Sequence, residues 1–230
     1  LLIGQIEGGV HVIDLNENKE LKYLKIHKGY VFDIVFIEEK NEVVFSSGDG
    51  TVSIWSVPDF ELLLQVKIGE GKNRKLAYSA KREELAVASA DGFVQVLTTK
   101  DWSSKYSIGD LESGANSVIF TDDSLLIGTK NAHLHEYDFT VSNKKEGIPA
   151  HNWAIYDLAF NHQLNLLVSG SRDKTVKFWN PNDLSVLKRL EGFKDKAHTH
   201  SVNALLWTQF DHLLLSTGDD KTIRVWQVKL

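Results

Sequence analysis

The chain has 230 residues, with 26 Lys and Arg against 31 Asp and Glu, a formal charge of −5, and 42% hydrophobic residues. That balance suits a soluble domain with a sizeable core and argues against a protein that coats nucleic acid or an anionic membrane. It has no Cys, which excludes disulfides, zinc–thiolate sites and cysteine nucleophiles.

Six pairs of strand-like runs follow one another along the chain, each pair hinged on a polar turn. They are residues 4–13, 46–55 (SSGDGTVSIW), 88–97 (ASADGFVQVL), 128–137, 169–179 (SGSRDKTVKFW) and 216–226 (STGDDKTIRVW). The turn residue is Glu7, Asp49, Asp91, Asn131, Asp173 and Asp220 in order, at steps of 42, 42, 40, 42 and 47 residues. Six residues after each stands a large side chain: Ile13, Trp55, Leu97, Tyr137, Trp179 and Trp226. Runs such as Thr175-Val176-Lys177-Phe178-Trp179 alternate with the period of a half-buried strand. Asp-Gly at 49–50 and 91–92 suits a tight hairpin with positive φ. No stretch reads as a long amphipathic helix. A repeat of this length made of short strands predicts an all-β chain of four-stranded antiparallel blades, one β-propeller domain over residues 1–230. The repeats fall at about 1–26 (partial), 27–69, 70–109, 110–150, 151–197 and 198–230 (partial).

Two repeats carry matched polar sets with identical spacing: His27, Ser47, Asp49, Trp55 and His151, Ser171, Asp173, Trp179. The last repeat has His198, Asp220 and Trp226, with Gly218 where the hydroxyl stands in the others. On these residues the chain resembles the WD-repeat β-propellers, over its whole length. No literal Trp-Asp pair occurs; Trp55-Ser56, Trp179-Asn180 and Trp226-Gln227 stand in its place. The resemblance implies that each His–Ser/Thr–Asp–Trp set is a hydrogen-bonded structural tetrad. Recurrence in register argues against a Ser-His-Asp catalytic triad, which one active site would need only once. Counting about 22 strands against about 28 for seven four-stranded blades gives the expectation of a seven-bladed ring with its N-terminal blade missing from the sequence. The alternative is a smaller, irregular ring.

The resemblance also implies a partner-binding face at the channel mouth, three and five residues after the tetrad His and just before the turn residue. Carried over, with Gly69 and Leu111 taken as the count's origin in the two repeats that lack the His, it comprises Tyr30, Phe32 and Gly48; Lys72, Arg74 and Ala90; Gly114, Asn116 and Lys130; Ala154, Tyr156 and Arg172; Ser201, Asn203 and Asp219. Four cations and three aromatic rings stand there against one anion, in a chain that is acidic overall. The expected function is a non-catalytic scaffold for a protein or peptide partner, presenting an acidic, phosphorylated or unmodified segment to this face. The alternative is a propeller enzyme or small-ligand binder at the channel mouth, built on Arg74, Arg172, Asn116 and Asp219. No cofactor, metal, nucleic-acid or membrane partner is expected, and the expected location is the cytoplasm. His133-Leu134-His135 and His198-Thr199-His200 place paired imidazoles on one strand face, but neither has a third ligand nearby in sequence. Residues 142–147 read as a polar loop and 192–197 as an inserted loop.

Overall fold

The structure is a computed structural model that describes residues 1–228. Each apolar run and the alternating run after its turn form adjacent antiparallel strands, and the chain builds six separate sheets from consecutive strands. Among the described residues there is no α-helix. The sheets divide between two compact units, residues 1–110 and 111 onward. The boundary coincides with a repeat boundary, where a chain of self-contained repeats has its natural seams.

The first unit holds three sheets. The first sheet is Leu2–Gly4, Gly9–Asp14 and Lys19–Lys25. The second is Val31–Ile37, Glu42–Ser47, Thr51–Ser56 and Leu62–Lys67, and the third is Asn73–Ser79, Glu84–Ser89, Phe93–Thr98 and Ser104–Ile108. Apolar side chains of one sheet pack on the next: Ile37, Val44, Val52 and Ile54 meet Leu76, Leu85, Val87 and Leu97. Val10, Val12 and Leu24 meet Val43, Phe45 and Trp55.

The second unit also holds three. The fourth sheet is Ala115–Phe120, Ser124–Thr129 and His133–Asp138, followed by a broken strand, Asn143–Lys144 and Ile148–Pro149, along one edge. The fifth is Ile155–Asn161, Leu166–Ser171, Val176–Trp179 and Val186–Leu190, and the sixth is Val202–Trp207, Leu213–Gly218 and Ile223–Gln227. Leu126, Leu134, Ile155, Leu158, Leu167 and Trp179 fill one intersheet layer, and Val168, Val176, Phe178, Val202, Leu205 and Leu214 the next.

The second strands of the second to fifth sheets are buried along nearly their whole length, and within their units the second and fifth sheets are packed against a neighbour on both faces. Two irregularities recur. In every sheet from the second to the sixth, the leading strand skips one residue against its neighbour: Phe32, Arg74, Asn116, Tyr156 and Asn203. In the first, second, third and fifth sheets, the trailing strand also skips one residue, at Leu21, Leu63, Lys105 and Leu187. The Asp-Gly turns carry positive φ at Gly50 and Gly92, while the equivalent Lys174 and Lys221 adopt φ of 76° and 61°.

Candidate functional site

The polar residues of the repeats sort into a buried relay and an exposed edge. In the fifth sheet the Trp179 indole N–H donates to Ser169 Oγ at 2.8 Å, and Ser169 lies 2.7 Å from His151 Nε2. His151 Nδ1 lies 3.0 Å from Asp173 Oδ2. A carboxylate only accepts, so Nδ1 carries the proton and Nε2 accepts from the serine. The serine donates to Nε2 only while the imidazole is neutral. Burial pushes the His151 pKa down in spite of Asp173 beside it. Burial alone would push the Asp173 carboxyl up, but His151, Thr175 and the Asn152 N–H hold it well below the ordinary carboxylate range. The sixth sheet repeats the arrangement, with Ser216 at 2.8 Å from both His198 Nε2 and Trp226 Nε1.

The sequence frame put the hydroxyl two residues before the turn Asp, at Ser47 and Ser171. The structure routes the relay elsewhere. Ser171 Oγ donates to the carbonyls of Trp153 and Ala154 and accepts from the Asp173 N–H, so it ties down the loop. Ser47 does the same with Gly29 and Asp49. The relay serine is two residues earlier in the fifth and sixth sheets, so Gly218 does not break the sixth. A Cβ at Gly218 would come within 2.6 Å of the Ser201 carbonyl. In the second sheet Phe45 takes that earlier position, and the hydroxyl comes from the next strand: Ser53 bonds His27 Nε2 at 2.8 Å and Trp55 Nε1 at 2.9 Å. Phe45 and Ser53 are directly opposed in the ladder, as are Ser169 and Lys177. A cross-strand partner shares its face, so the hydroxyl changes strand without leaving its place. Ser53, Ser169 and Ser216 are fully buried. Each of these hydroxyls is thus sealed from solvent between an indole and an imidazole.

The binding residues expected from the sequence gather at the leading edge of each sheet. The five skipped residues are the ones counted five after the His frame. A bulge re-aims its side chain away from the pleat. Just beside each bulge, the residue before the turn donates its N–H to the residue counted three after the His. Gly48 bonds Tyr30, Ala90 bonds Lys72, Lys130 bonds Gly114, Arg172 bonds Ala154 and Asp219 bonds Ser201, at 2.8–3.0 Å. Each repeat therefore brings its three expected residues together at one corner. The residue after the bulge anchors the corner to the next sheet where it is Asp. Asp33 accepts from the Leu76 N–H at 2.9 Å, and Asp157 from the Leu205 N–H at 2.8 Å.

In the first unit, Tyr30 and Phe32 stack with centroids 5.7 Å apart. The Lys72 ammonium lies 5.5 Å over the Tyr30 ring and the Arg74 guanidinium 5.3 Å over Phe32. In the second unit the Arg172 guanidinium lies 5.0 Å over Trp153, which is 58% exposed. Asn203 donates to Asp219 at 2.6 Å, and Asn116, which is buried, donates to the Ile155 carbonyl. Asn116 is thereby committed to the neighbouring sheet. Among the described residues, none of Lys72, Arg74, Lys130 and Arg172 forms an ion pair. Trp153 was missed from sequence because it sits two residues after His151, outside the positions carried over. The signal was a tryptophan in a loop, away from any strand alternation.

Six antiparallel sheets, three of them locked by a buried Trp–Ser–His–Asp relay, define a β-propeller protein built of repeated blades. The family model of the WD domain, G-beta repeat, matches residues 18–56, 143–180 and 189–227, half of the chain, and the chain belongs to the WD-repeat family. The matched stretches contain the relay tryptophans of the second, fifth and sixth sheets. Among curated relatives, the chain is 28% identical to eukaryotic translation initiation factor 3 subunit I of Caenorhabditis elegans, over 84% of this chain and 62% of that protein. It is 23% identical to anaphase-promoting complex subunit cdc20 of Dictyostelium discoideum, over 86% of this chain and 40% of that one. The chain thus spans less than two thirds of these relatives. The crystal structure of the computationally designed Ika8 protein shares the fold, with a TM-score of 0.78 at 24% identity, covering 99% of this chain and 67% of that one. No helix among the described residues is long and apolar enough to cross a membrane.

Proposed function

We propose that the chain is a non-catalytic interaction module that holds a partner protein by an acidic segment seated on the bulge edges. The observation that carries this reading is the state of the four cations. Lys72, Arg74 and Arg172 are held over exposed or half-exposed rings, and Lys130 stands in solvent, none of them neutralised by a carboxylate among the described residues. A guanidinium stacked on a ring is fixed in place with its N–H fork free for a carboxylate or phosphate. Arg, Tyr and Trp are also the side chains that dominate interface energies. Two relatives are, by name, subunits of larger assemblies, which fits a module that works by holding others.

The test is capture of partners from a source lysate by the parent protein and by the Arg74→Glu, Lys130→Glu, Arg172→Glu variant, followed by titration of acidic and phosphorylated peptides. Thermal melting shows that both are folded. The expected result is a partner held by the parent, lost by the variant, and competed by acidic peptides. Equal capture by both proteins overturns the charge argument and moves the contact to other loops.

A further inference from the structure

In the second to sixth sheets the residue four positions after the turn is polar: Ser53, Gln95, His135, Lys177 and Arg224. Each lies directly across the ladder from the centre of the preceding strand. Four of them have a defined task. Ser53 completes the relay of the second sheet. Gln95 donates to the carbonyl of Tyr106 on the trailing strand at 2.8 Å. Lys177 donates to the Ala150 carbonyl at 2.6 Å and Arg224 to that of Lys196.

His135 is the exception. It is 5% exposed, and neither ring nitrogen has a hydrogen-bond partner among the described residues. The trailing strand breaks directly opposite it. Asn143–Lys144 pairs with Tyr137 and Asp138, and Ile148–Pro149 pairs with His133 and Leu134. Three residues, 145–147, therefore face two. Gly147 lies flat on the imidazole: a Cβ there would stand 2.3–2.8 Å from Cε1, Nδ1 and Nε2. Only a glycine lets the backbone close over the ring this tightly.

We propose that segment 143–149 is an acid-sensitive strap, closed over a neutral His135 and released from the edge of the fourth sheet when that imidazole takes a proton. An imidazolium at this depth has no acceptor, and a buried unpaired charge is costly enough to favour opening to water. The charged and titratable groups facing the ring are His133 on its own strand, Lys144 on the trailing strand and Glu112 in the segment before the leading strand. Lys144 and a protonated His133 oppose the new charge, and Glu112 alone favours it. Burial is the largest influence and holds the His135 pKa below its ordinary 6.5. A group whose pKa is depressed in the closed state supports that state fully above its open-state value. Closure weakens as pH falls below about 6.5. Lys145 keeps its ion pair with Asp138 through this range, since Asp138 titrates at about 2.

Hydrogen exchange of segment 143–149, corrected for intrinsic rates, tests this at pH 7.5 and 5.5. The strand Leu166–Ser171 is the internal reference. Protection of the segment is expected to fall several-fold, up to about tenfold, at pH 5.5 while the reference strand is unchanged. His135→Gln should abolish the pH dependence, and His133→Gln should keep it. Equal protection at the two pH values, a loss shared by the reference strand, or a pH dependence that survives in His135→Gln overturns the proposal. An NMR titration of His135 in the parent protein gives a second reading, and a pKa at or above 6.5 overturns it too.

Discussion

Replacing Ser169 with Ala separates the relay the structure shows from the one the repeat spacing suggests. Ser169 Oγ accepts the Trp179 indole N–H and serves His151 Nε2, and all three residues are buried. Without the hydroxyl, one indole donor and one imidazole acceptor lose their partners, each at roughly 1–3 kcal/mol. The two together reach about 2–6 kcal/mol if nothing moves, and partial relaxation of neighbouring groups brings the expected cost to about 2–4 kcal/mol. At ~2–4 °C per kcal/mol for a chain of this size, the melting temperature should drop by about 4–16 °C. Ser171→Ala loses bonds to two carbonyls and one N–H at the loop. Water can replace some of these at the corner, and the cost there is about 1 kcal/mol. The assay is urea unfolding of both variants beside the parent, followed by circular dichroism and by tryptophan fluorescence. A Ser171→Ala cost equal to or above that of Ser169→Ala would refute the reasoning, as would a Ser169→Ala cost within about 0.5 kcal/mol of zero.

Stability should also decline in two acid steps. His27 and His151 are held neutral by burial, so folding weakens as pH falls below their ordinary 6.5. Asp49 titrates at about 2, because hydrogen bonds from Thr51 and the Lys28 N–H outweigh its burial; its contribution is lost as pH falls from about 4 to about 2. Denaturation midpoints from pH 8 to pH 2 read both steps, and a flat profile between pH 7 and 5 would contradict the first. Glu84 is buried against Arg82 at 2.9 Å, Lys105 at 2.6 Å and Tyr106 at 3.0 Å, so Glu84→Ala should cost about 2–4 kcal/mol in urea unfolding. Lys174→Gly should stabilise by about 0.5–1 kcal/mol, since a β-carbon is strained at a φ of 76°; a loss of stability would show that the lysine side chain matters more than the backbone. Trp153→Ala should weaken partner capture several-fold while leaving the melting temperature within about 2 °C, because the indole is mostly exposed.

Much of this was legible in one dimension because the repeat is one-dimensional. A turn carboxylate or amide recurring near 42 residues with a bulky residue six further on locates every hairpin, and the count of five lands on each leading-strand bulge. What escaped depends on contacts across strands. No spacing rule along the chain reveals that Ser53 replaces the hydroxyl missing at Phe45, because the two meet only when the ladder aligns them. Ser171 and Ser169 are both serines on one strand, and only the pleat decides which faces His151. Asn116 looked like a ligand residue, but its amide is spent on the Ile155 carbonyl. The break at 145–147 followed from a glycine and an imidazole that find each other through the sheet.

The skipped residues on the trailing strands bear on how such a chain survives in a crowded solution. A sheet that ends in a free strand offers a row of unsatisfied amides and carbonyls, and Leu62, Leu63 and Leu64 would make that row sticky. The irregularity at Leu63 interrupts the row near its start, and those at Leu21, Lys105 and Leu187 do the same on the first, third and fifth sheets. On these four sheets a second molecule approaching edge-on meets an interrupted row of amides. In the second, third and fifth sheets one device, a single extra residue, thus serves both edges: on the leading strand it turns a side chain out of the pleat, and on the trailing strand it breaks the ladder.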